Sequence, residues 1–141
     1  MDRKATAVWQ GGLKDGGGKI STASGVLKDT QYSFGSRFEE GIGTNPEELI
    51  AGAHAGCFSM ALSAILGEAG LKADSIETTA TVTLRFVDEA PTVTTIHLDV
   101  TAKVPGATEG AFMEAAEAAK MNCPISRLLK AEITMSAKLV S

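Results

Sequence analysis

The two cysteines of the chain, Cys57 and Cys123, have the side chains that can take part in the largest range of reactions. A cysteine reacts as the thiolate, so its reactivity toward peroxides, electrophiles or disulfides depends on the pKa of the thiol. Cys57 lies in an apolar, alanine-rich stretch, and burial in such a stretch raises the thiol pKa and leaves the sulfur inert. The sequence by itself therefore leaves both redox chemistry and inert burial open for Cys57.

Two charged residues upstream, Arg37 and Glu47, favour the reactive alternative. A guanidinium beside a sulfur stabilises the thiolate, and a carboxylate can hold the guanidinium in a fixed orientation. The same two residues are equally compatible with an ordinary surface ion pair, or with an acid that interacts with a helix dipole. They are candidates for a site, and their types alone do not decide between these roles.

Cys123 directly precedes Pro124, which fits the first position of a helix. The pattern predicts a helix that begins at Pro124 with Cys123 near its N-cap, where exposed backbone amides lower the pKa of a thiol. Taken alone, this environment makes Cys123 a candidate for the reactive thiol, although a buried cap or core residue is an equal alternative. A disulfide to Cys57 needs Cα atoms about 5.5 Å apart, a distance that the sequence does not give.

His54 offers a rival chemistry, because a helix places it on the same face as Cys57, one turn away. A Cys–His pair is the nucleophile of a thiol hydrolase or acyl transferase. A base in the same helix is poorly placed to reach the thiol while a third group orients it, which disfavours this alternative. His97 is expected on the polar face of a strand. Apart from His54 and Cys57, no histidines and cysteines have metal-ligand spacing, and we expect neither a metal nor another cofactor.

A long helix is predicted around the first cysteine. Asn45 is a good N-cap, Pro46 fits the first helical position, and Glu48 stands where a capping-box acid belongs. The helix is expected to continue to Ala69 and to end at Gly70. Because its middle is almost free of charge, we expect it to be buried on most sides. Its alanines and glycines would also let another backbone approach closely, and a second copy of the same helix is one candidate.

Residue periodicity predicts strands on both sides of this helix. The remaining predicted elements are strands at 3–10, 19–27, 30–38, 75–87, 92–104 and 132–140, and helices at 109–120 and from 124 onward. Strands that are grouped together, rather than alternating with helices, are typical of an α+β fold with mostly antiparallel sheets.

Length and composition limit the class of protein. With 141 residues and 44% hydrophobic residues, the chain is expected to form a single domain, residues 1–141. Its net charge of −4 gives no basic surface for nucleic acid and no polybasic membrane anchor. We also expect no signal peptide and no apolar span of about 18 residues, and hence a cytoplasmic protein without membrane contact. Its partners are then proteins or small molecules.

Three segments of the sequence resemble the OsmC/Ohr family of hydroperoxide reductases: GTNPEEL at 43–49, AHAGCFSM at 53–60 and NCPIS at 122–126. The resemblance extends over essentially the whole chain, including SRFE at 36–39 and KAEIT at 130–134. The Glu-Glu-Leu and Ala-His-Ala triplets are closer to the OsmC branch than to the Ohr branch.

The resemblance implies an OsmC-like fold, with sheets around a long buried central helix in an intertwined homodimer. It implies a thiol-dependent peroxidase that reduces organic hydroperoxides and, more weakly, hydrogen peroxide. Cys57 would be the peroxidatic thiolate, Cys123 the resolving thiol, and Arg37 a catalytic residue held by Glu47. Peroxide converts the first thiolate to a sulfenic acid, the second thiol traps it as a disulfide, and an external dithiol, lipoyl-protein or thioredoxin-like, reduces that disulfide. A Cys57/His54 thiol hydrolase and a redox-sensing module without turnover are the alternatives.

Overall fold

The strands of the chain form two sheets, one from strands that precede a long helix in the sequence and one from strands that follow it. The computed structural model describes all 141 residues. The elements in chain order are β1 (Ala5–Gln10), β2 (Gly17–Thr22), β3 (Thr30–Tyr32), α1 (Phe34–Phe38), α2 (Pro46–Glu68), β4 (Ser75–Val87), β5 (Ala90–Lys103), α3 (Glu109–Asn122), α4 (Pro124–Leu128) and β6 (Glu132–Val140). The predicted α+β class is confirmed. Contacts divide the chain into two compact units, Met1–Leu49 and Ile50–Ser141.

The first unit contains the predicted three-stranded meander, in the order β1-β2-β3 with both pairs antiparallel. The prediction of a third strand at 30–38 is wrong in its second half, because residues 34–38 form the helix α1. Ser33 starts this helix with a reciprocal cap: its hydroxyl accepts the Ser36 N–H at 3.1 Å, and the Ser36 hydroxyl accepts the Ser33 N–H at 2.9 Å. Local capping therefore overrides the alternating pattern at this point.

Both ends of α2 follow the sequence signals. At the start, Asn45 Oδ1 accepts the N–H of Glu48 at 2.7 Å, as expected for an N-cap. At the end, Gly70 has a φ of +76°, and the Leu71 N–H donates to the Leu66 carbonyl at 2.9 Å. This is a Schellman ending, which needs a left-handed residue and so favours glycine. The helix ends at Glu68, one residue before the predicted Ala69.

The sides of α2 differ from the prediction. Its buried residues, His54, Phe58, Leu62 and Leu66, all lie on one face. The helix is long and apolar enough to cross a membrane, with a mean hydropathy of 1.7 over an 18-residue window that is only 22% buried. The predictions of no apolar span and of burial on most sides are therefore wrong for the single chain. The scattered polar residues of α2 interrupt the apolar run but lower its mean hydropathy only slightly. The core helix of a soluble protein can have the same composition.

The second unit contains a sheet in the order β4-β5-β6. The hairpin β4–β5 turns at Asp88 and Glu89, whose φ angles of 49° and 65° fit a type I′ turn. β6 pairs with β5 in parallel, so three of the four strand pairs are antiparallel, as predicted for most of them. The buried core of this unit comes from α2, β5 and the residue after it, α3, and the residue before α4. Its members are Phe58, Leu62, Leu66, Ile96, Leu98, Val100, Ala102, Val104, Phe112, Ala115, Ala116, Ala119 and Cys123.

Candidate functional site

The segment from α1 to the start of α2 is fixed by backbone and side-chain hydrogen bonds within the first unit. The Ser36 hydroxyl donates to the Thr44 carbonyl at 2.7 Å, and Asn45 Nδ2 donates to the Ser36 carbonyl at 3.0 Å. Gly43 has a φ of +125°, and a Cβ there would lie 2.5 Å from the Gln31 carbonyl oxygen. Only glycine fits this turn without a shift of the backbone, so the turn sets the position of both helices that it joins.

Arg37 and Glu47 meet across this turn. Arg37 Nη2 donates to Glu47 Oε1 at 2.7 Å, and Arg37 Nε lies 3.0 Å and 3.2 Å from the two carboxylate oxygens. The Arg37 side chain is 37% exposed and that of Glu47 only 13%. We call these two residues the arginine pair. Two donor nitrogens on one carboxylate fix the plane of the guanidinium, so Glu47 orients Arg37 rather than merely neutralising it.

The neighbouring acid, Glu48, has a different partner. Its Oε2 accepts the Thr44 hydroxyl at 2.8 Å, so the carboxylate does not complete the capping box that the sequence predicted with Asn45. Glu47 and Glu48 therefore stand next to each other in the first turn of α2 with separate roles. The sequence had assigned the two acids to different roles, and the structure confirms that they differ while giving Glu48 the Thr44 hydroxyl as its partner.

An apolar pocket of about 260 Å³ lies beside the arginine pair in the first unit. Four of its eight lining residues are aromatic, and the Phe34 and Phe38 ring centroids are 4.9 Å apart. Arg37 Cζ lies 5.1 Å from the centroid of Phe38, so the guanidinium stacks on the pocket wall. Its lining residues are Trp9, Leu13, Tyr32, Ser33, Phe34, Arg37, Phe38 and Pro46. The pocket thus combines apolar surface with one cationic group.

Both cysteines are free thiols of the second unit. Cys57 is half-buried in α2 and Cys123 is fully buried. Burial raises the pKa of the Cys57 thiol, a hydrogen bond with the backbone of Ile125 lowers it, and the adjacent Cys123 raises it through a hydrogen bond and through charge. The fold therefore makes the two cysteines neighbours, although they are far apart in the sequence. Burial is the largest effect on this pKa, as the apolar sequence around Cys57 predicted.

Cys123 caps α4, as the sequence predicted. Its Sγ accepts the N–H of Ser126 at 3.4 Å, and Pro124 occupies the first turn of the helix. A sulfur at this position receives the hydrogen bond that a serine or threonine oxygen receives in an ordinary N-cap. The cap fixes the position of the sulfur relative to the backbone of α4.

His54 does not pair with Cys57. Its Nε2 instead lies 2.8 Å from the Ser126 hydroxyl, and that hydroxyl lies 3.2 Å from Cys123 Sγ. Burial lowers the pKa of His54, and its Nδ1 has no hydrogen-bond partner. A thiol hydrolase needs the imidazole on the nucleophile, so this geometry counts against the Cys57/His54 alternative.

The second histidine lies on the polar face of β5, as predicted. His97 Nδ1 hydrogen-bonds the Thr134 hydroxyl, and Nε2 lies 3.1 Å from Ser136 Oγ and 3.4 Å from Asp99 Oδ1. The chain therefore contains two histidine–hydroxyl clusters, and only that of His54 includes a thiol.

Sequence reasoning missed Ser126 as a functional residue. It stands three residues after the capping cysteine, the position whose side chain commonly meets the cap residue. That spacing was a usable signal for its contact with Cys123. Its contact with His54 was not predictable, because the two residues are separated by 72 positions.

The α+β fold and the adjacent free thiols define a protein with a paired-cysteine site. The family model described as "OsmC-like protein" matches residues 39–138, a segment that contains both cysteines. The chain belongs to the OsmC family, which confirms the resemblance seen in the sequence.

Individual proteins agree with this assignment. The chain is 50% identical to Peroxiredoxin OsmC of Escherichia coli (strain K12) over 141 residues, which is 100% of this chain and 99% of that protein. The organic hydroperoxide resistance protein OhrB of Bacillus subtilis superposes with a TM-score of 0.68 at 24% identity, covering 97% of this chain and 98% of the other. An OsmC-like protein from Mycoplasma pneumoniae gives 0.78 at 14% identity, with 100% and 99% covered. These two structures support the fold alone, whereas the first match supports the OsmC branch.

Proposed function

We propose that the protein is a cysteine-based peroxidase that reduces organic hydroperoxides through a cycle of two thiols. The observation that carries the proposal is the adjacency of Cys57 and Cys123, the only two cysteines of the chain, which meet although they belong to different helical regions. The 50% identity with Peroxiredoxin OsmC over the full chain supports the same class of enzyme. Neighbouring free thiols can exchange between a dithiol and a disulfide, which is the chemistry that such a cycle needs.

In the proposed cycle, the Cys57 thiolate attacks the distal oxygen of the hydroperoxide. The O–O bond breaks, an alcohol leaves, and Cys57 becomes a sulfenic acid. Cys123 then attacks that sulfur, water leaves, and a disulfide forms. An external dithiol, of the lipoyl-protein or thioredoxin type, reduces the disulfide and returns both thiols. Cys57 is thus the peroxidatic residue and Cys123 the resolving residue.

Burial opposes the first step, because it raises the pKa of Cys57 and reduces the fraction of thiolate at neutral pH. A fixed cation near the sulfur reverses that effect. We assign this role to Arg37, oriented by the two hydrogen-bonding nitrogens that it directs at Glu47. Glu47 contributes by holding the guanidinium and does not act on peroxide itself.

The apolar pocket beside the arginine pair supports an organic substrate over hydrogen peroxide. A pocket of about 260 Å³ suits a small organic group, and burial of that group against the aromatic side chains favours its binding. The guanidinium on the same wall suits the polar hydroperoxide group. Hydrogen peroxide has no apolar part and is therefore expected to be the weaker substrate.

The exposed face of α2 supports a homodimer. It includes Gly52, Gly56, Met60 and Gly67, and Met60 is 77% exposed in the single chain. An apolar face of this length is commonly covered by a partner, and small residues let two helices approach closely. We propose that a second copy covers it and that the protein acts in the cytoplasm, where a reducing environment keeps both thiols available. Sedimentation should then give a dimer at micromolar concentration, and Met60→Lys should shift it toward the monomer.

The proposed function is tested by steady-state peroxide consumption. Reduced protein is supplied with an alkyl hydroperoxide or hydrogen peroxide, and with a lipoyl-type dithiol. We expect repeated turnover, a higher kcat/KM for the alkyl hydroperoxide, and an intramolecular Cys57–Cys123 disulfide on peptide mapping under non-reducing conditions. A single oxidation without turnover would indicate a sensor, and bridges that form only between chains would contradict the two-thiol cycle.

A further inference from the structure

A continuous line of hydrogen bonds runs from the second thiol into the core. Cys123 Sγ lies 3.2 Å from Ser126 Oγ, which lies 2.8 Å from His54 Nε2. His54 and Cys123 have no exposed surface and Ser126 has 8%. We call these three residues the buried relay. It contains the thiol that attacks in the second step, and neither Ser126 nor His54 hydrogen-bonds the thiol that attacks peroxide.

We propose that the buried relay removes the proton of Cys123 when this thiol attacks the sulfenic acid on Cys57. The inference rests on the proposed function and deepens its second step. Ser126 acts as a catalytic residue, because its hydroxyl touches the reacting sulfur. His54 acts through Ser126 and is a positioning residue for the proton.

The relay works through two proton positions. In the resting form, the Cys123 S–H donates to Ser126 Oγ and the Ser126 O–H donates to His54 Nε2. A shift of one proton along each bond leaves a Cys123 thiolate, which accepts the Ser126 O–H, and a protonated His54 Nε2. Burial lowers the pKa of His54, which keeps the imidazole neutral at rest, so that Nε2 accepts the hydrogen bond from the Ser126 hydroxyl.

The step balances with the groups already present. The Cys123 thiolate attacks Cys57 sulfur, the S–S bond forms, and the S–O bond breaks with loss of hydroxide. The proton held by His54 Nε2 returns through the Ser126 hydroxyl and converts that hydroxide to water. The net change is one thiol and one sulfenic acid to one disulfide and one water, with the organic hydroperoxide as the only oxidant.

The unpaired nitrogen of His54 argues against a purely structural role. A buried polar atom without a hydrogen-bond partner lowers the stability of the fold, and His54 Nδ1 is such an atom. An apolar side chain of similar size would fill the space without that loss. An imidazole is useful at this position because it exchanges a proton at Nε2, where Ser126 is held.

The experiment follows both steps separately after reduced protein is mixed with an alkyl hydroperoxide. Trapping with a sulfenic-acid probe reports oxidation of Cys57, and acid quenching with mass spectrometry reports the disulfide. Ser126→Ala and His54→Asn should oxidise Cys57 at the parental rate and form the disulfide about tenfold more slowly or worse, since general acid–base groups contribute at least that much. Ser126→Thr, which keeps the hydroxyl, should restore most of the rate.

Two further measurements separate proton transfer from packing. Heavy water should slow disulfide formation in the parent and have a smaller effect in Ser126→Ala. His97→Asn and Ser136→Ala are the matched controls, because they disrupt the histidine–hydroxyl cluster that lacks a thiol and should leave both steps unchanged. If His54→Asn does not fold, Ser126→Ala and Ser126→Thr still decide the question.

Disulfide formation at the parental rate in Ser126→Ala would overturn the relay while leaving the peroxidase intact. The relay would also be wrong if Ser126→Thr were as slow as Ser126→Ala. Failure of the proposed function would be distinct, because the parent itself would then form no sulfenic acid on Cys57.

Discussion

The arginine pair and the buried relay show two ways of placing polar groups in one small chain. The arginine pair is charged, its arginine is about one third exposed, and its members are ten positions apart in the sequence. The hydrogen-bonded groups of the relay are neutral at rest and nine-tenths buried or more, and two of them are 72 positions apart. Desolvation explains the difference, since a buried ion is expensive and a buried neutral hydrogen bond is not. The charged pair suits thiolate formation, and the neutral chain suits proton transfer during disulfide formation.

The largest effect is expected from the thiols on which both clusters act. Cys57→Ser should abolish peroxide consumption, because no other sulfur then meets the substrate. Cys123→Ser should keep the first oxidation and lose the disulfide, leaving a sulfenic acid that a small-molecule probe captures. Peroxide consumption and mass spectrometry measure both outcomes. If Cys57→Ser kept its turnover, the assignment of the two thiols would be reversed.

The next largest effect is expected from Arg37 of the arginine pair. Arg37→Ala should raise the pKa of Cys57 and slow its oxidation by about two orders of magnitude or more, at about 1.4 kcal/mol for each factor of ten. The measurement is the second-order rate constant with an alkyl hydroperoxide, together with a thiol titration. Arg85→Ala is the control, since this arginine makes no ion pair. If Arg37→Ala reacted like the parent while His54→Asn did not react, a Cys–His mechanism would replace ours.

A smaller effect is expected when the arginine is kept and only its orientation is loosened. Glu47→Gln retains a hydrogen-bond acceptor but loses the charge, and we expect oxidation of Cys57 to slow by about tenfold, the loss of about one charge-assisted hydrogen bond. Glu48→Gln is closely matched, because it stands one position later and binds Thr44 instead of Arg37. Equal rates for the two variants would show that Glu47 has no specific part in orienting the guanidinium.

The smallest effect is the pH dependence of stability. His54 has a pKa lowered by burial from its usual 6.5, so the unfolded chain takes up a proton near that pH while the folded chain does not. The unfolded state then binds more protons, and the free energy of unfolding decreases as the pH falls below about 6.5. Cys57 acts oppositely: its pKa is raised, and its contribution to stability is lost as the pH rises above about 9.0.

Urea unfolding across the pH range checks these two contributions. His54→Asn should flatten the decrease on the acid side, and Cys57→Ser should flatten the decrease on the alkaline side. An unchanged acid slope in His54→Asn would mean that the imidazole takes up its proton equally in both states. That result would also remove one support for a neutral relay.

Local signals in the sequence were sufficient for most of the fold. The ends of α2, the cap of α4 and the two long strands of the hairpin β4–β5 were predicted within a few residues, because capping groups and side-chain alternation act over a few positions. The local predictions failed in the first unit, where the second strand ends at Thr22 and not at Leu27, and where a reciprocal serine cap at α1 outweighed a strand-like pattern. The cysteine motifs also sufficed to place the chain in its family.

Tertiary structure decided the features that depend on distant partners. Residue types gave no means to predict that β6 pairs in parallel with β5, since alternation is the same in either direction. They did not predict that α2 is covered on only one face. Apolar composition shows that a helix can be buried, but it does not show how much of the rest of the chain packs against it. The sequence by itself determined the two thiols and the starts of α2 and α4 beside them, and it made Arg37 and Glu47 candidates for a site. Only the fold decided which group His54 contacts, because its imidazole hydrogen-bonds the Ser126 hydroxyl, 72 positions away, and not Cys57, its neighbour in the helix.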